Sequence, residues 1–340
     1  FQDKGDFKAA LKSYRKAIKI NPHHLEAYFN LGNILQETGD LDGAIKCYKK
    51  ILKINPNYTE ALFNKALCFK LKGQLKASLK TFGKILNGNP DLFKAKSQKL
   101  VLLNRICDWS ELDELKTKLP QLGITTPSVD PFGFLPMEDH PERQLIRASK
   151  YALKKYNEDP IPLSAKPKSK PNKLRIGYFS ADFRDHPVSH QIAKVLTSHD
   201  RSKIEVYAYS FKQANDAMQK QIIQSVDHFK DVSDMSEKEV ALLARKDNIH
   251  IAIDLMGYTR DARTNIFAFR AAPVQVHMWG TTMGTNFIDY VIADSTVIPD
   301  RLRKFCQEKI IYLPHSFMST DNTREISTRP MTRREMGLPE

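Results

Sequence analysis

The stretch NPHHLEAYFNLGNILQETGDLDGAIKCYKKILKINP, residues 21–56, decides how the first part of the chain is read. Its Asn-Pro ends recur every 34 residues, at Asn21-Pro22, Asn55-Pro56 and Asn89-Pro90. Gly5, Gly39 and Gly73 keep the same interval, as do the small residues Ala10, Ala44 and Ser78 and the aromatic residues Tyr14, Tyr48 and Phe82. Several features on one period mean a repeated unit. Each unit reads as a helix, a turn at the glycine, a second helix, and a proline that ends it. Neither helix can bury its apolar face alone, so stacking of units supplies the core.

This period resembles the tetratricopeptide repeat, and the resemblance implies that the first helix of each unit lines an inner, concave surface. Asn30 and Asn64 stand one period apart on that helix. An asparagine amide offers both donor and acceptor, so a column of them can bind the backbone of an extended peptide without reading its sequence. The other reading, polar residues on a wet surface, stands beside it.

Beyond Leu100 the rhythm fades, and the chain is punctuated by Pro120, Pro127, Pro131, Pro136 and Pro141. A helix is expected from Glu142 to Tyr156, and then the run DPIPLSAKPKSKPNK (159–173) marks a boundary. After it come apolar runs of strand length separated by helical stretches: LRIGYFS (174–180), KIEVYAYSF (203–211), IHIAIDLMG (249–257), PVQVHMW (273–279), DYVIAD (289–294) and KIIYLP (309–314). Strands alternating with helices imply a parallel, doubly wound sheet, in which ligands sit beyond the carboxyl ends of the strands. That rule selects SADFRDHPVSHQIAKVL (180–196), MGYTRDARTN (256–265) and GTTMGTN (280–286). No GxGxxG and no GxxxxGK[ST] is present, so a dinucleotide or P-loop site has no support.

Composition removes other classes. The chain has 340 residues, 41% hydrophobic and 27% charged, with a formal net charge of +14. The compact basic run Lys166–Lys173 has no interleaved aromatics to stack on bases, which argues against nucleic acid. No apolar run approaches the roughly 20 residues of a bilayer span. Cys47, Cys68, Cys107 and Cys306 lie far apart with no CxxC, which supports neither structural zinc nor a disulfide framework and fits a reducing, cytoplasmic setting. The opening FQDKGDFKAALKSYRKAIKINP has no secretory pattern and reads as a chain cut inside a helical unit.

The ordered motifs SADFRDHPVSH, DLMGYTRDARTNIFAFRAAPVQV, IDYVIAD and KIIYLPHSF, with CDWSELD from Cys107 ahead of them, resemble the catalytic region of protein O-linked N-acetylglucosamine transferases and their bacterial and plant relatives, including SPINDLY-type fucosyltransferases. Tetratricopeptide repeats ahead of that region are also what this family shows. The resemblance implies a two-lobed glycosyltransferase of GT-B type. In this chain that means repeats over 1–99, a helical connector and linker over 100–172, the first Rossmann-like lobe over 173–328, and the start of a truncated second lobe over 329–340. A fragment lacking most of the donor-binding lobe is expected to be inactive alone. The implied activity is transfer of a sugar, N-acetylglucosamine from UDP-GlcNAc or another nucleotide sugar, to serine or threonine of acceptor proteins that bind through the repeats. The alternative is a peptide-binding scaffold whose Rossmann-like lobe is degenerate.

The same resemblance places the family's proposed general base on His186. Imidazole changes charge between about pH 5 and 8, and it could take the proton of a hydroxyl attacking the anomeric carbon with inversion. His186 could instead orient acceptor or sugar. Pro187 places a helix start between His186 and His190, so His190 reads as structural, and with no third ligand evident a metal is not expected. Asp182 could orient the loop or cap that helix, and the cap is the role expected of it. Gly257 permits a tight turn, while Tyr258, Thr259 and Arg263 offer donors toward the cleft; Arg263 could instead pair with Asp261 or Asp254. The only Asp-x-Asp pair, Asp40 and Asp42, lies in a repeat turn, so metal independence follows. VQVHMWGTTMGTNF (274–287) departs from the family's Gly-Tyr-Pro-Gly-Thr loop, lacking the proline and shortened, which puts acceptor geometry and activity in doubt.

Overall fold

The computed structural model describes residues 7–110, 113, 116–162, 171–323 and 328–339. Gly5 of the repeat series and most of the proline-lysine run lie outside them. The chain divides into two compact units, Phe1–Arg143 and Gln144–Glu340.

In the first unit, helices pair as the 34-residue period requires: α1 (Phe7–Ile20), α2 (Leu25–Glu37), α3 (Leu41–Ile54), α4 (Thr59–Leu71), α5 (Leu75–Gly88) and α6 (Phe93–Arg105). Asp40 caps α3 by accepting from the Gly43 N–H at 2.9 Å. The periodic residues are the packed ones. Ala44, Tyr48, Ser78 and Phe82 are wholly buried. Ser78 replaces alanine in its column without stranding a hydroxyl, because its Oγ donates to the Ala66 carbonyl at 2.7 Å. After α6 the chain runs through turns and a short 3₁₀ segment, Phe132–Phe134, around Leu100, Leu103, Leu119, Leu122 and Phe134.

The second unit holds most of α7 (Pro141–Lys155) and a seven-stranded, all-parallel sheet: β1 (Leu174–Ser180), β2 (Ile204–Ser210), β3 (His228–Asp231), β4 (Ile251–Asp254), β5 (Val274–His277), β6 (Tyr290–Ala293) and β7 (Lys309–Tyr312). Between them lie α8 (Pro187–Ser198), α9 (Ala217–Ser225), α10 (Glu237–Lys246) and α11 (Asn265–Ala268). The strand order is β3-β2-β1-β4-β5-β6-β7. Alternation along the strands builds two cores. Ile176, Tyr178, Val206 and Ala208 face Ile192 and Leu196 of α8 and Ile222 of α9. Phe179 and Tyr209 face the other way, onto Val240 and Ala244 of α10 and Phe267 of α11.

The six strand-length runs all form strands, and β3 is an addition. HFKD is polar and only partly buried because it is the edge strand, registered on β2 with His228 opposite Tyr207. Among the described residues no helix is long and apolar enough to cross a membrane.

Candidate functional site

The sheet grows outward from β1 through β2 to β3 and then returns to β4 on the other side of β1. The crevice at such a reversal opens beyond the carboxyl ends of the two central strands. Residues 181–186 leave β1 there, and residues 255–265 leave β4.

The β1 loop is held from several sides. Ser180 Oγ accepts from the Asp182 N–H at 2.9 Å, Ser189 Oγ donates to the Asp182 carbonyl at 2.6 Å, and the Gln219 amide donates to the Phe183 carbonyl at 3.0 Å. Asp216 accepts from the Asp185 N–H at 2.9 Å, and that bond, with one from the Gln219 N–H, holds its carboxyl below the ordinary range. The loop is therefore preorganised by the protein.

His186 ends this loop at the N-cap of α8, in extended backbone, with Pro187 the first helical residue. Its Nδ1 accepts from the Val188 N–H at 3.3 Å and lies 3.5 Å from Asp182 Oδ2. The two contacts select opposite tautomers of the neutral ring. With Val188 donating, the proton sits on Nε2; with Nδ1–H turned to Asp182, Nε2 is left able to accept a proton. Asp182 therefore orients this loop, and the helix is capped by His186 itself. The other oxygen of Asp182 takes Arg184 at 2.9 Å. His190 is exposed and pairs with Asp185 at 2.9 Å.

On the β4 side, Gly257 takes φ +58°, and a Cβ there would stand 2.9 Å from His277 Cε1. Only glycine fits both the backbone and the space. Thr259 Oγ1 donates to the Met256 carbonyl at 2.8 Å, closing the turn. The structure does not bring Tyr258 and Arg263 into the crevice as donors. The Tyr258 hydroxyl donates to the Met283 carbonyl at 2.5 Å, with its ring stacked on Tyr156 and edge-on to Tyr151; burial pushes that hydroxyl far above its ordinary pKa. The Arg263 guanidinium spans the carbonyls of Val232 and Met235 and lies over Phe211. It pairs with neither Asp261 nor Asp254; Asp261 takes Lys212 instead.

Two buried carboxylates organise this end of the sheet: Asp254, read from the sequence only as a possible partner of Arg263, and Glu308, which the sequence did not single out. Asp254 and His277 are register partners on β4 and β5, with Nδ1 to Oδ2 at 3.1 Å and side chains only 4% and 2% exposed. Asp254 also takes the N–H groups of Met256 and Gly257, and His277 Nε2 faces Thr281 Oγ1 at 3.4 Å. Glu308 accepts from Thr282 Oγ1 at 2.7 Å and the Met283 N–H at 3.0 Å. Glu308 thus holds the short loop 280–286, and Asp254 holds the turn that leaves β4. The available signal was that DLMG and VQVH end adjacent strands, which puts their Asp and His side by side.

In the repeats, Asn30 and Asn64 are both half-buried on first helices of their units. The Asn64 amide donates to Asn33 Oδ1 at 2.9 Å, and the same oxygen accepts from the Tyr48 hydroxyl at 2.8 Å. Asn64 thus meets a residue one helical turn beyond Asn30. Among the described residues, no three of His, Cys, Asp or Glu are placed to hold a metal ion.

Comparison with known proteins agrees with this geometry. The model for glycosyl transferase family 41 matches residues 106–333, and tetratricopeptide-repeat models match 25–58 and 47–80. The chain is 33% identical over 264 residues to a probable UDP-N-acetylglucosamine–peptide N-acetylglucosaminyltransferase SEC of Arabidopsis thaliana, covering 70% of this chain and 27% of that protein. It is 34% identical over 240 residues to the UDP-N-acetylglucosamine–peptide N-acetylglucosaminyltransferase of Caenorhabditis elegans, covering 64% and 21%. An O-GlcNAc transferase mutant from Thermobaculum terrenum superposes with a TM-score of 0.57 at 26% identity, over 93% of this chain and 56% of that one. The chain thus spans about a quarter of the length of these curated relatives. A repeat solenoid followed by a parallel sheet with the HPVSH loop at its reversal, matched over two thirds of its length by one family, places this chain in glycosyl transferase family 41.

Proposed function

We propose that the chain is the repeat region and first catalytic lobe of a protein O-glycosyltransferase, which moves N-acetylglucosamine from UDP-GlcNAc to serine or threonine hydroxyls with inversion. The observation that carries this reading is His186, presented at the carboxyl end of β1 with Asp182 Oδ2 3.5 Å from its Nδ1. With Nδ1–H directed at Asp182, Nε2 accepts the hydroxyl proton as the oxygen attacks the anomeric carbon. Gly257 and Thr259 shape the opposite wall. The role of Tyr258 and Arg263 on this reading is to hold that wall in place. Residues 1–99 serve acceptor proteins through Asn30 and Asn64, 100–172 connect, and 173–328 form the lobe. The four free cysteines of the chain support a cytoplasmic setting.

In the full-length protein, His186→Ala is expected to lower turnover by roughly 10²-fold or more with donor affinity nearly unchanged and a stability loss of only about 1 kcal/mol from the lost helix cap. Turnover within a few-fold of the parent would remove the catalytic role and favour a peptide-binding scaffold. His190→Ala, which loses only an exposed pair with Asp185, should leave turnover close to the parent's. Replacing Asn30 and Asn64 together by alanine should weaken unrelated acceptor peptides to a similar extent; unchanged peptide affinity would return both residues to the solvated surface.

A further inference from the structure

The second helices of the repeats carry a charge pattern that neither the fold nor the proposed reaction uses. Helices α1, α3 and α5 together hold twelve basic residues and one acidic residue, Asp42. The basic residues keep the 34-residue period: Lys12, Lys46 and Lys80 form one column, and Lys16, Lys50 and Lys84 form a second, four residues further along each helix. All six are exposed. None of the six is in an ion pair among the described residues, whereas Asp42 is taken by Lys72, which follows α4, at 2.5 Å. The field of this surface reaches its neighbours. Half-buried Lys65 of α4 has its pKa lowered by burial first, and further by Lys84 and Lys49.

Like charges four residues apart on one helix destabilise it. Three such pairs in successive repeats carry that cost with no ion pair among the described residues, although Lys46 also lies in the field of Asp42. At the α5 end of the columns the surface also has a concavity of about 310 Å³, where Lys76 and Lys80 border Leu79, Gly83 and Ile106. Its one acidic lining residue, Asp108, is bonded to Ser110. Lysine ammonium groups are single point charges and match single carboxylates. On these helices the described aromatic side chains are not offered to a base, since Tyr48 and Phe82 are buried and Tyr14 half-buried.

We propose that the lysine columns of α1, α3 and α5 are a docking surface for an acidic polypeptide segment, separate from the asparagine-bearing first helices. Such a segment lays its carboxylates along Lys12, Lys46 and Lys80 and Lys16, Lys50 and Lys84, and sets an apolar side chain against Leu79 and Ile106. The surface is independent of the catalytic reading, because it needs no sugar nucleotide.

The test is fluorescence anisotropy of the chain with a labelled peptide of alternating glutamate pairs and leucines, at low and physiological salt. Two variants carry the same change in net charge. One replaces Lys46, Lys50, Lys80 and Lys84 by glutamine, and the other replaces the exposed lobe residues Lys220, Lys238, Lys246 and Lys304 by glutamine. The columns variant should weaken the peptide by about tenfold or more while the lobe variant stays within about twofold, and a glutamine version of the peptide should not bind. Circular dichroism checks that both variants keep their helices. Equal weakening in both variants would reduce the effect to overall charge and overturn the proposal. So would the absence of peptide binding at low salt, or tighter binding of a DNA duplex or of phosphatidylserine vesicles than of the peptide.

Discussion

The repeats and the parallel lobe keep their shape by different means. In the repeats each residue's job is set by its place in the period: Ala44 and Ser78 are buried at one place, Tyr48 and Phe82 at another. In the lobe the loops that matter are held by single polar groups brought from far along the chain. Glu308 closes residues 282–283, and Gln219 holds Phe183. Charge divides the same way. Residues 1–105 hold eighteen lysines and two arginines against eight acidic residues, so they carry nearly all of the chain's net charge of +14. A periodic region spreads its stability over many equivalent contacts, while the lobe concentrates the shape of its working end in a few.

The contrast is broken or sharpened most strongly at Tyr48, which is wholly buried and donates to Asn33. Tyr48→Ala should cost roughly 3–5 kcal/mol, as large-to-small changes of buried aromatics do. Hydrogen exchange should show the loss in α2 to α5 and leave the sheet protected. An equal loss of protection in β1 and β4 would mean that the two regions unfold as one.

Glu308→Gln comes next. It keeps the shape and replaces a carboxylate that accepts from Thr282 and Met283 with a group that has one acceptor and two donors. The expected cost is about 1–3 kcal/mol. Faster exchange should be confined to residues 280–286; a change spread through β5 to β7 would deny the lobe its local mode of control.

The smallest effect is expected from pH, at the amino-terminal side of the sheet. Glu205 bonds His228 at 2.7 Å and Arg175 at 2.8 Å. Burial works against its charged form, but the bonds from His228, Arg175 and Tyr207 outweigh it and hold the carboxyl at about 2. A depressed folded-state pKa gives stability that is present above the unfolded value of about 4.3 and lost as pH falls toward 2. Denaturant midpoints at pH 5 and 2.5 should differ by on the order of 1–2 kcal/mol more for the parent than for Glu205→Gln. An identical difference would remove Glu205 from the acid sensitivity of the lobe.

The repeat pairs were legible because they keep a 34-residue period, and six of the seven strands because each is an apolar run of strand length. HFKD was not, since an edge strand need not be apolar. The location of His186 was legible from the rule that ligands lie beyond strand ends. Side-chain direction was not legible: Tyr258 and Arg263 stand on the expected loop and turn inward to carbonyls that only the folded chain brings near. The Asp254–His277 pair depended on strand register, and the Asn64–Asn33 bond on how α2 and α4 meet in the stack.

Gly284 has a bearing on where this polypeptide can be cut. A Cβ there would stand 2.5 Å from the Ser149 backbone nitrogen, so the loop rests directly on α7. Further on, the Ile161 N–H donates to the Phe269 carbonyl at 3.0 Å, and Arg245 donates to the Pro162 carbonyl. The composition break at the proline-lysine run invites dissection near residue 172, yet a piece begun there would keep all seven strands and lose the helix against which the 280–286 loop is seated. It would also lose Tyr151 and Tyr156, the rings that enclose Tyr258. A protease or a cloning primer that respects this molecule's seam enters ahead of Pro141.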